Sequence, residues 1–112
     1  MIDVKDEVMV ALTEISGVKV YYNYPEAAVR GNIITYYELD NTIGSIADNS
    51  EYSSRISFQI DIWTKNMDDL IDLSLKVDEK MSENGFYRQM AQEIKDLENK
   101  RRRKTMRYTT LR

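Results

Sequence analysis

The residues of this chain best suited to chemistry are its carboxylates. Asp68, Asp69, Asp72, Asp78, Glu79 and Glu83 fall close together in the sequence. A divalent cation of the hard class needs oxygens that converge in fixed geometry. Strung along one predicted helix, these six diverge around its exposed side, so they read as a solvated helix face. The first three also complement the positive end of the helix dipole. Asp3, Asp6 and Glu7 receive the same reading. A carboxylate pair acting as acid and base needs one member in an apolar pocket to split the pKa values, and no such pocket is visible in the sequence. There is no histidine and no cysteine. Ser-His-Asp and Cys-His catalysis, thiolate and imidazole zinc sites and disulfides are therefore excluded. We expect no enzyme, with no catalytic, cofactor-binding or metal-binding residues.

The basic residues are distributed unevenly. Of 16 Lys and Arg, seven lie from Lys100 onward (Lys100, Arg101, Arg102, Arg103, Lys104, Arg107, Arg112), and no acid follows them. Residues 1–99 hold the other nine with all 19 acids, a net charge of −10. An acidic body with a basic end suits head-to-tail contact between copies. It also suits a basic arm on phosphates, although the acidic remainder would repel them. Tyr21, Tyr22, Tyr24, Tyr36 and Tyr37 crowd together. They could stack on single-stranded nucleic acid, but sheet core and interface account for them more simply.

Residues 3–15 predict an amphipathic helix, with Val4, Val8, Leu12 and Ile15 on one side and Ser16-Gly17 as its stop. Val18–Tyr22 is β-prone. Residues 32–39 are rich in β-branched and aromatic types and predict a strand. Residues 40–50 carry Asn41, Gly44, Asp48 and Asn49 and read as a loop or long hairpin tip. From 52 to 64, Tyr52, Ile56, Phe58, Ile60 and Ile62 share one parity, while Ser53, Arg55, Ser57, Gln59 and Asp61 take the other. That alternation predicts a long, half-buried antiparallel strand, with Trp63 on the polar parity.

Asn66 then predicts an N-cap, followed by a helix to about Ser82 and a stop at Asn84-Gly85. Its apolar stripe is Leu70, Leu73, Val77 and Met81, widened by Met67, Ile71 and Leu75. Residues 87–104 contain good helix formers, with Met90, Ile94 and Leu97 at helical spacing, so local propensity leans to helix there. Residues 105–111 are β-like. The length of 112 residues fits one domain. The polar, acidic start is unlike a signal peptide, and no apolar run approaches the length of a membrane span. These features predict a chain that stays in the cytoplasm, without membrane partners.

The string Ser54–Trp63 leads through Thr64-Lys65-Asn66 into the helix of Leu70–Met81. Asn84-Gly85-Phe86-Tyr87-Arg88 and Lys104-Thr105-Met106-Arg107-Tyr108 follow. This order resembles the tail-terminator and tail-completion (head-tail joining) proteins of long-tailed bacteriophages and prophages, from about Val18 to Thr110. The resemblance implies an α+β fold, a mixed, mostly antiparallel sheet with two main helices packed on one side, in a single domain over 1–112 with a long loop at 40–50. It also implies that Phe86–Ile94 and Arg101–Thr110 are paired strands turning near Asp96-Leu97-Glu98-Asn99, against the local helical lean.

The implied role is structural: a ring, usually hexameric, that caps the tail tube and joins it to the head connector. The partners are then the chain itself, the tail-tube protein and the head-tail connector protein, with passing DNA touched only weakly in the lumen. Assembly would occur in the host cytoplasm, and the product would sit at the head-proximal end of the virion tail. A head-closure protein of the same assembly, or a small nucleic-acid-binding protein using 100–107, are the alternatives. The expected interaction residues are Ile43 and Ile46 in the 40–50 segment, Trp63, and Lys100, Arg101, Arg102, Arg103, Lys104 and Arg107.

Overall fold

The computed structural model describes residues 1–25, 30–47, 50–96 and 101–112. In chain order the elements are α1 (Lys5–Thr13), β1 (Lys19–Tyr22), β2 (Ile33–Ala47), β3 (Ser50–Thr64), α2 (Met67–Glu83), β4 (Tyr87–Asp96) and β5 (Arg101–Leu111). The strands form one sheet in the order β1-β2-β3-β5-β4. β1 and β2 are parallel, and the other neighbours are antiparallel. This is the expected α+β architecture.

β3 is central, and its alternation organises the molecule. Ile56, Phe58, Ile60 and Ile62 are completely buried. Register places them beside Ile34 and Tyr36 of β2 and Met106 and Tyr108 of β5. Those side chains pack under Val4, Val8 and Leu12 near and on α1 and Leu70, Leu73, Val77 and Met81 on α2. Both helices thus cover one face of the sheet, and burying the apolar parity of the strands and the matching helix stripes drives this layering. α2 starts as expected: Asn66 Oδ1 accepts from the Asp69 amide at 2.8 Å. At its other end Gly85 takes a positive φ of 82°, the left-handed conformation that lets Phe86 turn back into the core.

Three expectations need correction. Residues 40–47 are the far half of β2, paired with β3 from Asp40↔Ser57 to Ala47↔Ser50, which overturns the loop alternative and agrees with that of a long hairpin tip. The turn-forming residues are absorbed by bulges, with register shifts at Glu38/Asp40 and around Gly44. Gly44 fits because a Cβ there would stand 2.5 Å from Ser53 Oγ. Asp48 and Asn49 lie outside the described residues.

The local helical lean over 87–104 is also overturned. Tyr87–Asp96 is a strand, held in register by β5 from Tyr87↔Thr109 to Asp96↔Arg101. The resemblance had pointed this way, and ladder pairing outweighs a propensity difference of a few tenths of a kcal/mol per residue. The expected turn at 97–99 lies outside the described residues. Finally, Ile71 and Leu75 do not widen the core stripe of α2, since they are 49% and 68% exposed.

Candidate functional site

The face of the sheet opposite the helices carries the most organised polar arrangement among the described residues. It is built from the odd-numbered residues of β3 and β5. Gln59 and Asp61 project from β3, and Thr105 and Arg107 lie directly across from them on β5. Asp61 is only 4% exposed. Its Oδ1 accepts from Thr105 Oγ1 at 2.5 Å and lies 3.3 Å from an Arg103 guanidinium nitrogen. Its Oδ2 accepts from Gln59 Nε2 at 3.2 Å. Gln59 Oε1 in turn accepts from Arg107 Nε at 3.3 Å. A carboxyl group this deep is accommodated because its oxygens are hydrogen-bonded and face a guanidinium.

Aromatic side chains enclose one end of this network. The Arg103 guanidinium lies over the Trp63 ring, 4.5 Å from its centroid, a cation–π contact. Trp63 donates its indole N–H to Thr35 Oγ1 at 3.2 Å and meets Tyr24 edge-on at 5.2 Å. Tyr24, Tyr37, Trp63, Arg103, Gln59 and Asp61 line an open cleft of about 300 Å³. The Arg103 Nε is buried without an acceptor.

Strand alternation distributes the sequence-predicted interaction residues across the molecule. Arg103 and Arg107 point to the helix-free face, with Arg55 joining them from β3, while Arg101 pairs with Asp96 at the end of β5. Arg102 and Lys104 pair with Thr64 and Ile62 and so project on the helix side. There Arg102 helps line a second cleft of about 360 Å³, floored by Met67 and Leu70, and Lys104 stands opposite Glu93. The basic run is therefore not one patch. Lys100 lies outside the described residues. Ile43 is 57% exposed on the part of β2 that extends beyond the end of β5. Ile46 lies in β2, with its side chain outside the described part. Trp63 closes the cleft.

Sequence reading missed the Gln59–Asp61–Thr105 network and the part played by Tyr24 and Tyr37. The available signal was an acid in the middle of an otherwise regular strand.

The acidic residues of α2 serve other ends. Asp69 accepts from the side-chain amides of Asn32 (3.0 Å) and Asn66 (3.2 Å). Asp78 accepts from Tyr108 Oη at 2.8 Å and lies 3.7 Å from Arg88. Asp72 pairs with Lys76 at 2.9 Å, one helical turn on. Among the described residues no group of three or more carboxylates is placed to hold a metal ion. No helix there is long and apolar enough to cross a membrane.

No protein-family model matches the sequence, and no protein of curated function matches it. Solved structures do. A chain of the virion of a native gene transfer agent particle superposes with a TM-score of 0.60 over 91% of this chain and 88% of its own length, at 13% identity. The sheath/tube terminator of an extracellular contractile injection system (PVC, extended state) gives a TM-score of 0.56 over 95% of this chain, also at 13% identity. This chain spans 54% of that terminator's length. At such identities the likeness is one of fold alone.

Proposed function

We propose that this chain is a tail-terminator or tail-completion protein of a phage, prophage or related particle. In this reading it assembles into a ring, expected to be a hexamer, on the head-proximal end of the tail tube. There it stops tube growth and presents a surface to the head-tail connector. Its work is done by surface complementarity, without a reaction, so it is not an enzyme. The observation that carries the reading is the match in fold over nine-tenths of the chain to a protein named as a sheath/tube terminator. The sequence's lack of His and Cys and its acidic and basic surfaces agree with it. The contact regions in this reading are the extended β2–β3 ribbon with Ile43, the outer side of α2, and the arginines of β5. Assembly in the host cytoplasm and residence in the virion tail follow.

Negative-stain imaging of the purified protein mixed with tail-tube protein tests the proposal. Tubes of limited length with capped ends are the expected result. Tubes that grow as they do without the protein would refute it.

A further inference from the structure

We infer that the helix-free face of the sheet is the docking site for the outer side of α2 of a second copy, so that copies pack front to back. This rests on the ring reading above and names the surfaces by which its subunits meet.

On β3 and β5 the described side chains of the helix-free face include Arg55, Arg103 and Arg107. The one carboxylate among them, Asp61, is buried and engaged by its neighbours. Beside these arginines lies the open cleft walled by Tyr24, Tyr37 and Trp63. This side of the sheet is rich in arginine and aromatic rings, with Asp40 of β2 beside Arg55, and no described element of the chain covers the cleft.

The opposite exterior of the molecule supplies the complement. α2 holds six acids and two lysines, a net charge of −4. Its solvent side carries Ile71 and Leu75, 49% and 68% exposed, between the exposed acids Asp68 and Glu79. Residues 68, 71, 72, 75 and 79 share one side of a helix by their spacing. An apolar pair bordered by carboxylates matches an aromatic cleft bordered by arginines. Arg103 and Arg107 stand about 13 Å apart along β5 at ~3.3 Å per residue. Asp68 and Glu79 stand about 16 Å apart along α2 at ~1.5 Å per residue. The difference is within the reach of arginine side chains.

Because these surfaces lie on opposite faces, one copy cannot satisfy its own. Each contact leaves a free surface at both ends, the condition for a closed ring or an open stack. Phosphate binding would use the arginines but leave Ile71, Leu75 and the cleft unexplained, so a second copy is favoured over nucleic acid.

Charge reversal tests this in the full-length chain. One variant carries Arg55→Glu and Arg107→Glu, and the other carries Asp68→Lys and Glu79→Lys. Sedimentation velocity at low salt should show reversible, concentration-dependent association of the wild-type chain, weakened by salt. Each variant alone should associate at least about tenfold more weakly, with its melting temperature recorded to confirm folding. An equimolar mixture should recover association, because alternating copies restore opposite charges at every contact.

A wild-type chain that stays monomeric up to the solubility limit would overturn the inference. So would variants that associate as wild type does, or folded variants whose mixture fails to recover. A sheet-face variant that loses binding to a short DNA duplex yet still associates would reassign that face to nucleic acid. Tube capping at wild-type strength by both variants would overturn this contact and leave the capping proposal standing. Association without capping by the wild type would do the reverse.

Discussion

Tyr108 should make the stability of this protein fall in alkali, and a single substitution should abolish that contribution. Its ring is 1% exposed and its hydroxyl donates to Asp78 Oδ1 at 2.8 Å. Burial, reinforced by the hydrogen bond to Asp78 and its negative charge, pushes the phenol far above its ordinary value of 10. The folded state therefore holds this proton more tightly than the unfolded state. Below pH 10 neither form has lost it and the stabilisation is complete. Above pH 10 the unfolded chain ionises first, and stability falls by about 1.4 kcal/mol per pH unit from this group alone.

Tyr108→Phe keeps the ring but loses a hydrogen bond to a charged acceptor, nominally about 1.5–3 kcal/mol. Asp78 is 39% exposed and can recruit water, so the cost at pH 7 should lie near the lower figure, about 1.5 kcal/mol. The two stability curves should then converge near pH 11, where the wild type has lost a comparable amount. Urea denaturation from pH 7 to 11.5 measures both curves. The lysines, including Lys5 and Lys80, whose pKa values are raised by hydrogen bonds to Asp3 and Glu14, titrate in both proteins and cancel in the difference. A gap that stays constant from pH 7 to 11.5 would refute the argument.

Asp61→Ala should destabilise by about 3 kcal/mol, because it leaves the partly buried guanidinium of Arg103 and the buried donors of Gln59 and Thr105 without their acceptor; urea unfolding reads it directly. Arg112→Ala should cost about 1–2 kcal/mol. It removes bonds to Glu7 Oε1 (2.9 Å) and the Asn84 carbonyl (2.8 Å) and a stacking contact on Phe86, which tie α1 and the end of α2 to β5. An unchanged melting temperature would count against that tie. Asn66→Ala should cost about 1 kcal/mol through loss of the α2 cap, and Asn66→Ser, a neutral N-cap residue, should recover most of it.

Much of the fold was legible because one period dominates each of the main elements. The alternation of Ile56, Phe58, Ile60 and Ile62 made β3 plain, and Asn66 and Asn84-Gly85 marked both ends of α2. The edge strand β4 was obscured because edge residues meet solvent. Gln89, Gln92, Glu93 and Lys95 are all exposed, so their types record no packing. Only pairing with β5, a contact distant in energy from any local preference, makes them strand. Residues 40–47 were obscured differently, because bulges place turn-forming residues inside a ladder.

The site was least legible because it is made by register. A run such as Arg101-Arg102-Arg103-Lys104 looks like a patch in sequence, yet on a strand its members alternate between faces. The arginine face forms only when β5 aligns Arg103 with Trp63 and Arg107 with Gln59, and when β3 presents Arg55 to the same side. The network around Asp61 has the same origin, since Gln59 and Thr105 are 46 positions apart in sequence and meet only through the sheet.

This division of charge also constrains symmetry. A two-fold dimer would place like faces together, either arginines against arginines or the acids of α2 against their own copies, and like charges brought together at an interface are costly. Front-to-back contact instead sets unlike charges together at every joint. It also buries Ile71 and Leu75, which within one copy remain in water at a cost the hydrophobic effect would recover on contact. Electrostatics and apolar burial thus favour the same arrangement through different residues. Removing the apolar pair with Ile71→Ser and Leu75→Ser should weaken association at all salt concentrations, whereas the charge reversals should matter progressively less as salt rises and the Debye length shrinks from about 10 Å at 0.1 M to about 3 Å at 1 M. If both sets of variants responded to salt alike, the two contributions would not be separate, and the front-to-back contact would need a different physical basis.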